Sequence, residues 1–380
     1  MLSLTGLRAE APTIDPTSDA EHFGPPEALL FWTPAQKVAG FRNMDRLVWT
    51  REIAAGAEPL PLPSELRDLG GTVIREGGRE MTLDRYLEIQ DVAGLLVIDD
   101  GTVVFEYYGL GNSAESRWLS FSVTKSLVSL LVGAAIREGY IESVEEPVTD
   151  YLPRLKGSAY DQASIRDILQ MSSGVAWNED YGDPNSDIAR MEMSTLGLYD
   201  QLREKPAVAP PGKRFNYNTA ETNLVGTLLR SAIGNNLSTY LSETIWQPYG
   251  MEANANWMLG ASGGGEVGGC CISAILRDYG RIGLFALNEG RLPDGTQVLP
   301  EDWMARSTAP TEGYEGYGYL WWRHGGARYG AQGIFGQEIY IDPENRIVIA
   351  LQSARATADK PDDWALQQAL FRAVTQALSD

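Results

Sequence analysis

LSFSVTKSLVSLLVGAAIREG, residues 119–139, decides how the rest of the chain is read. From Leu127 to Ile136 it is almost wholly apolar, the pattern of a helix buried on most sides. One turn upstream stand Ser122 and Lys125, a hydroxyl and an amine three residues apart. Residues at that spacing are neighbours on a helix, with Cβ atoms about 5–6 Å apart. Ser122-Val123-Thr124-Lys125 at a helix start therefore predicts an amine beside a hydroxyl. The helix N-terminus favours negative charge developing on Ser122, and its free N–H can serve as an oxyanion donor. Burial beside Val123 and Leu127 disfavours the ammonium form and moves Lys125 toward a working base. The structural alternative is a Ser122 or Thr124 cap with Lys125 reaching out to solvent.

Histidine content narrows the hydrolytic chemistries. The chain has 2 histidines, His22 in a proline-rich stretch and His324 in WWRHGG. Neither context sets an imidazole against a serine as a Ser-His-Asp triad requires. A G-x-S-x-G match at Gly260-Ala261-Ser262-Gly263-Gly264 falls within GASGGGEVGG, a flexible loop without the strand before and helix after that the motif needs. A serine nucleophile without histidine takes another base, and lysine is the usual one. PPGKRFNYNTAETNLVG, residues 210–226, adds Tyr217-Asn218-Thr219 ahead of a helix. A tyrosine near a lysine cation loses its proton more easily, so Tyr217 is a candidate proton shuttle. RYGAQGIFGQEIYI, residues 328–341, reads as a strand whose Gly330, Gly333 and Gly336 let a ligand approach the backbone, where an N–H can be a second oxyanion donor.

Composition excludes other classes. The 380 residues are 43% hydrophobic, enough for a sizeable core, and carry a formal charge of −20. Such a surface repels phosphate backbones and anionic lipid, so neither nucleic acid nor a membrane surface is an expected partner. The first residues show no basic stretch followed by an apolar one, and no apolar run reaches the ~18 residues of a membrane span. The only cysteines, Cys270 and Cys271, are adjacent and read as core packing rather than a disulfide, which makes a cytoplasmic location the expectation. NEDYGDPNSD, residues 178–187, begins like a calcium loop, but Ile188 stands where glycine is needed and Ser194 where a bidentate glutamate should be. It reads as a solvated loop at a cleft rim.

Along the chain, residues 1–90 are proline-rich and read as an irregular N-terminal wrap. GLLVIDDGTVVFEYYG, residues 94–109, predicts a β-hairpin turning at Asp99-Asp100-Gly101. Mostly helical signals follow to about residue 260. ISAILRDYGRIGLFALNEG, residues 272–290, predicts a helix capped at Glu289-Gly290, and residues 337–353 a second hairpin turning at Asp342-Pro343-Glu344-Asn345. An amphipathic helix, DDWALQQALFRAVTQAL, closes the chain. The fold class expected is α/β plus all-α. Residues 1–130 and 265–380 form a discontinuous lobe around an antiparallel sheet flanked by helices, and residues 131–264 an inserted, mostly helical lobe. The site is expected in the cleft between them.

Ser-x-x-Lys, Tyr-x-Asn-type and Gly-containing strand elements in this order resemble the serine β-lactamase and penicillin-binding-protein superfamily. Within it the chain looks most like the class C β-lactamase branch, with its family VIII esterases and 6-aminohexanoate-dimer hydrolases. SVTKSLVSLLVGAAIREG, PVTDYLPRLKGSAYD, WNEDYGDP and GQEIYIDP carry the likeness, which runs from roughly residue 90 to the C-terminus. The resemblance implies a β-lactamase/transpeptidase-like fold and an acyl-enzyme mechanism without metal or cofactor. It makes Ser122 the nucleophile, Lys125 its base or base partner and Tyr217 the shuttle, with the N–H groups of Ser122 and Ile334 as the oxyanion hole. It further implies substrate contacts for Tyr181, Glu192, Thr219, Gln332 and Gly333. Two departures alter recognition: the third box, Ala331-Gln332-Gly333, lacks the cation that holds a β-lactam or D-alanine carboxylate, and the second ends in Thr219 rather than asparagine. The reading is a serine hydrolase cleaving a small carboxylic ester or linear amide. The alternatives are a β-lactamase or D-alanyl-D-alanine peptidase, and a non-catalytic acyl-accepting sensor. Oligomeric state is left open, a homodimer included.

Overall fold

The computed structural model describes residues 10–379. Three short strands come first: β1 (Thr50–Ile53), β2 (Val73–Glu76) and β3 (Arg79–Thr82). The first hairpin is β4 (Val92–Asp99) and β5 (Thr102–Tyr108). It turns at Asp100 and Gly101, with φ of 44° and 84°, the left-handed geometry that matches the twist of paired strands. β6 (Arg117–Leu119) leads into helix α1 (Val123–Arg137), and α2 (Thr219–Ile233) follows the inserted segment. Next come β7 (Ala255–Met258), β8 (Ile272–Ile275) and α3 (Leu276–Leu287). β9 (Trp322–Arg323), β10 (Tyr329–Gly333), β11 (Gln337–Asp342), β12 (Ile347–Ser353) and α4 (Pro361–Ser379) complete the chain.

The main sheet has 6 antiparallel strands in the order β5-β4-β12-β11-β10-β9, so strands from both ends of the chain share it. Side chains on β4 alternate between faces as strand geometry dictates. Leu95 and Val97 join a core with Leu366, Leu370 and Phe371 of α4, while Leu96 and Ile98 face the larger core with α1 and α3. A second sheet of 4 strands runs β1-β7-β8-β6. Its β6–β8 pairing sets Leu119 opposite Ser273 and so aims the chain that enters α1.

Four expectations are corrected. Residues 10–90 are not irregular throughout: they supply β1, which pairs with β7, and the β2–β3 hairpin. These strands are 4 residues each with little burial, too short for a period-2 pattern to stand out. Ile272–Ile275 is strand rather than helix, because its buried edge pairs with both β6 and β7; the helix starts at Leu276. Residues 328–341 are two strands folded back at Ile334-Phe335-Gly336, with Gly336 at φ 96°. Cys270 and Cys271 are joined as a vicinal disulfide across a cis peptide bond, not left as separate packing groups. Both later hairpin and closing helix stand where expected, and no helix of the described residues is long and apolar enough to cross a membrane.

Candidate active site

Ser122 occupies the N-cap of α1, yet its hydroxyl makes no capping bond. Phe121 before it is held at φ 48°, a left-handed conformation that a bulky residue adopts only when its surroundings over-determine it. The surroundings are visible. Phe121 packs edge-on against Phe41 and Phe335 at ring distances of 4.9 and 5.0 Å. Ser120 accepts from Ile272 N through its hydroxyl at 2.9 Å and donates its own N–H to Ile272 O at 2.8 Å. The turn is thus pinned to β8 on one side and to the β10–β11 turn on the other.

Lys125 is 1% exposed, so it does not reach solvent, and the capping alternative fails. Its Nζ lies 2.9 Å from Ser122 Oγ, 3.0 Å from Thr219 Oγ1 and 2.7 Å from Gly269 O. Burial drives its pKa down to about 7, opposed by the nearby Glu179 carboxylate. The three contacts also sort the protons. Gly269 O can only accept, and the Thr219 hydroxyl already donates to Glu179 Oε1, so both take protons from Nζ. A neutral amine then has one lone pair left, and it faces Ser122 Oγ.

Tyr217 precedes Asn218, the N-cap of α2, and its hydroxyl is engaged with Ser122. Its ring stacks on Trp322 at 5.6 Å and meets Tyr317 edge-on at 6.0 Å. The expectation of an eased phenol ionisation is corrected: burial pushes the Tyr217 pKa well up, and Lys125 Nζ lies over the ring face, 5.2 Å from its centroid. Tyr217 is a neutral phenol that can pass a proton along, not a resting phenolate.

Gly333 ends β10 directly against this turn. A Cβ there would stand 2.5 Å from Ser120 O and 3.1 Å from Phe121 Cβ, so only glycine lets the strand approach so closely. The next residue, Ile334, borders the cleft beside Ser122. Among the described hydrogen bonds, neither the Ser122 nor the Ile334 N–H has a protein acceptor. The cleft has two lobes that both include Ser122, Tyr181 and Ile334. One, of about 340 Å³, is bordered by Tyr217, Trp322, Gln332, Glu179 and Asp359; the other, of about 400 Å³, by methionines and aliphatic residues.

The structure therefore brings together Ser122, Lys125, Tyr217, Thr219, Tyr181, Gln332, Gly333 and Ile334. Glu192 stands apart: it is exposed, borders neither lobe, and its carboxylate lies over Gly197. Two groups escaped sequence reading. Glu179 is the hub of the supposedly solvated loop, accepting from Trp177 Nε1, Tyr181 OH at 2.6 Å, Thr219 N at 3.1 Å and the Thr219 hydroxyl. Four donors saturate its carboxylate. The Gly269 carbonyl lies 144 residues from the lysine it meets. No group of His, Cys, Asp or Glu side chains among the described residues is arranged to hold a metal ion. Ser262 of the G-x-S-x-G match is exposed on a loop away from both lobes.

The chain resembles known proteins in both sequence and fold. It is 30% identical over 321 residues to the 6-aminohexanoate-dimer hydrolase of Paenarthrobacter ureafaciens, covering 78% of this chain and 81% of that protein. A β-lactamase of Pseudomonas fluorescens matches at 24% over 182 residues, 46% of this chain and 48% of the relative. Among solved structures, a Bacillus anthracis protein provisionally described as a 6-aminohexanoate-dimer hydrolase superposes with a TM-score of 0.82 at 22% identity, over 90% of this chain and 95% of that one. A family VIII carboxylesterase superposes at 0.58 and 16%, over 74% and 92%. These two show the fold. The Beta-lactamase family model matches residues 82–371, a span from β3 into α4 that takes in the whole constellation around Ser122. The chain belongs to the Beta-lactamase family of serine hydrolases.

Proposed function

We propose that this protein hydrolyses carboxylic esters or linear amides through an acyl-enzyme on Ser122. The single observation that carries the reading is the buried Lys125 Nζ 2.9 Å from Ser122 Oγ, with its two other contacts both acceptors. Ser122 Oγ attacks the carbonyl carbon while its proton passes to Lys125 Nζ, directly or through the Tyr217 hydroxyl. Negative charge on the carbonyl oxygen is met by the N–H groups of Ser122 and Ile334. The bond to the leaving group breaks as Tyr217 hands it a proton and is reprotonated from Lys125. Water then attacks the acyl-serine, its proton follows the same route, and Ser122 regains its hydroxyl hydrogen. Each positioned acid-base group contributes about 10²–10⁴-fold and each oxyanion donor about 10²–10³-fold.

The names of the relatives support esters and linear amides as the substrate class. Residue 331 supports it as well: alanine stands where a carboxylate-holding cation would serve a β-lactam, and neither lysine nor arginine borders that lobe. Ser122→Ala should abolish p-nitrophenyl butyrate turnover and leave the circular dichroism spectrum unchanged. Retained turnover in that variant would reject the nucleophile.

A further inference from the structure

Ser122 and Ile334 border both lobes of the cleft, so the reacting carbonyl sits where the lobes meet. An ester or amide spans that junction, with its acyl half in one lobe and its leaving group in the other. Tyr217 borders only the lobe of about 340 Å³. The group that protonates the leaving atom must stand on the leaving-group side. Substrate orientation follows: the leaving group faces Tyr217, and whatever hangs from the acyl carbon enters the lobe of about 400 Å³.

The lobes differ in what they tolerate. Beside Tyr217 the walls are flat rings, Trp322 and Trp364, together with the carboxyl groups of Glu179 and Asp359. An alkyl chain laid there would strip water from the exposed Asp359 carboxylate and offer no hydrogen bond in return. The other lobe is walled by Leu29, Leu30, Ile188, Met191, Met193 and Met258, with the exposed Glu27 and Arg190 also on its border. Methionine side chains are unbranched and adjust to an irregular apolar guest. The same lobe shares Met193 and Met258 with an adjoining groove of about 620 Å³ that reaches Leu47, Val48 and Trp49, the last 63% exposed. Length is therefore available beyond the reacting carbonyl on this side.

We propose, resting on Ser122 as the nucleophile, that the methionine-lined lobe is an acyl-chain site and that the substrates are esters or amides of linear, medium-chain apolar carboxylic acids. The test uses two isomeric esters of equal carbon count, ethyl octanoate and octyl acetate, with p-nitrophenyl acetate as a reporter of basal turnover. Overall hydrophobicity is matched, and only the side of the ester that carries the chain differs. A buried methylene contributes about fourfold in kcat/KM, so ethyl octanoate should be favoured by at least about tenfold. Met193→Glu and Met258→Glu should each lower the ratio of ethyl octanoate to p-nitrophenyl acetate turnover by about tenfold or more. Equal rates for the isomers, a preference for octyl acetate, or a preference unaltered in both variants would overturn the acyl-chain site while leaving the nucleophile standing. Absence of turnover for every ester would instead overturn the Ser122 reading, and the acyl-chain site with it.

Discussion

Lys125 is surrounded by three oxygens, two of which are committed to accepting. A neutral amine satisfies both with its two protons and keeps its lone pair for Ser122 Oγ, and burial disfavours the ammonium form. A pH dependence follows with a definite sign. The base must be neutral to take the Ser122 proton, and the Lys125 pKa is lowered to about 7. Below that value kcat/KM for a neutral ester should fall by about tenfold per pH unit, and above it the profile should level off. A flat profile between pH 5 and 7 would be incompatible with Lys125 as the base. Lys125→Arg keeps a cation but cannot supply a neutral base, so its turnover should drop by about 10²–10⁴-fold. How far this site was legible follows from distance along the chain. Ser122 and Lys125 are one helical turn apart, and their pairing is written in that spacing. Glu179 meets Thr219 across 40 residues and Gly269 meets Lys125 across 144, and such contacts leave no periodic trace. Glu192 was placed by resemblance alone, and nothing in its local chemistry corrected that.

At the scale of elements, the site is a junction between a helix start and a strand end. β10 reaches α1 only because Gly333 has no side chain, and the Phe121–Phe335 contact then locks the two turns together. Gly333→Ala should therefore act on geometry more than on stability. The new methyl would press on Ser120 O, in a residue already fixed by its N–H and hydroxyl bonds to Ile272 of β8, so the Ile334 N–H must withdraw. Loss of one oxyanion donor lowers kcat by about 10²–10³-fold, while overpacking at one strand end costs about 1–3 kcal/mol. Steady-state kinetics beside a thermal melt separates the two effects; a variant with full activity would remove Ile334 from the oxyanion hole. Elements with strong local signals, such as the Asp100-Gly101 hairpin and α1, were legible in the residue order. β8 was not: ISAI continues into LRDYGRIGLFAL with the same apolar character, and only its partners β6 and β7 decide that it is strand. β1, at 4 residues with one buried, is decided the same way by β7.

For the molecule as a whole, burial of ionisable groups couples stability to pH, and Glu221 on α2 dominates the acid side. It is 1% exposed; Tyr160 OH donates to its Oε1 at 3.2 Å, Ser173 Oγ donates to the same atom, and its Oε2 has no partner among the described residues. Burial raises its pKa from the ordinary 4.5 to about 8, with Asp167 and Glu179 adding repulsion. Asp278, which accepts from Glu252 N and Ala253 N and pairs with Arg281, is likewise raised, to about 6. Between pH 4.5 and 8 the folded Glu221 holds a proton that the unfolded chain has released, so stability falls as pH rises through that window. Lys125 works the other way. Its folded pKa of about 7 lies below the ordinary 10.5, so stability rises with pH across that interval. The slopes of Glu221 and Lys125 oppose each other between about pH 7 and 8, which leaves a decline from about pH 4.5 to 7 and a recovery above 8. Glu221→Gln keeps the shape and the bonds from Tyr160 and Ser173 without the titration. Its melting temperature should fall less than that of the parent protein between pH 5 and 7, retaining only the share that Asp278 contributes below about pH 6. Parallel melting curves for the two proteins across that range would show that Glu221 carries the same charge folded and unfolded.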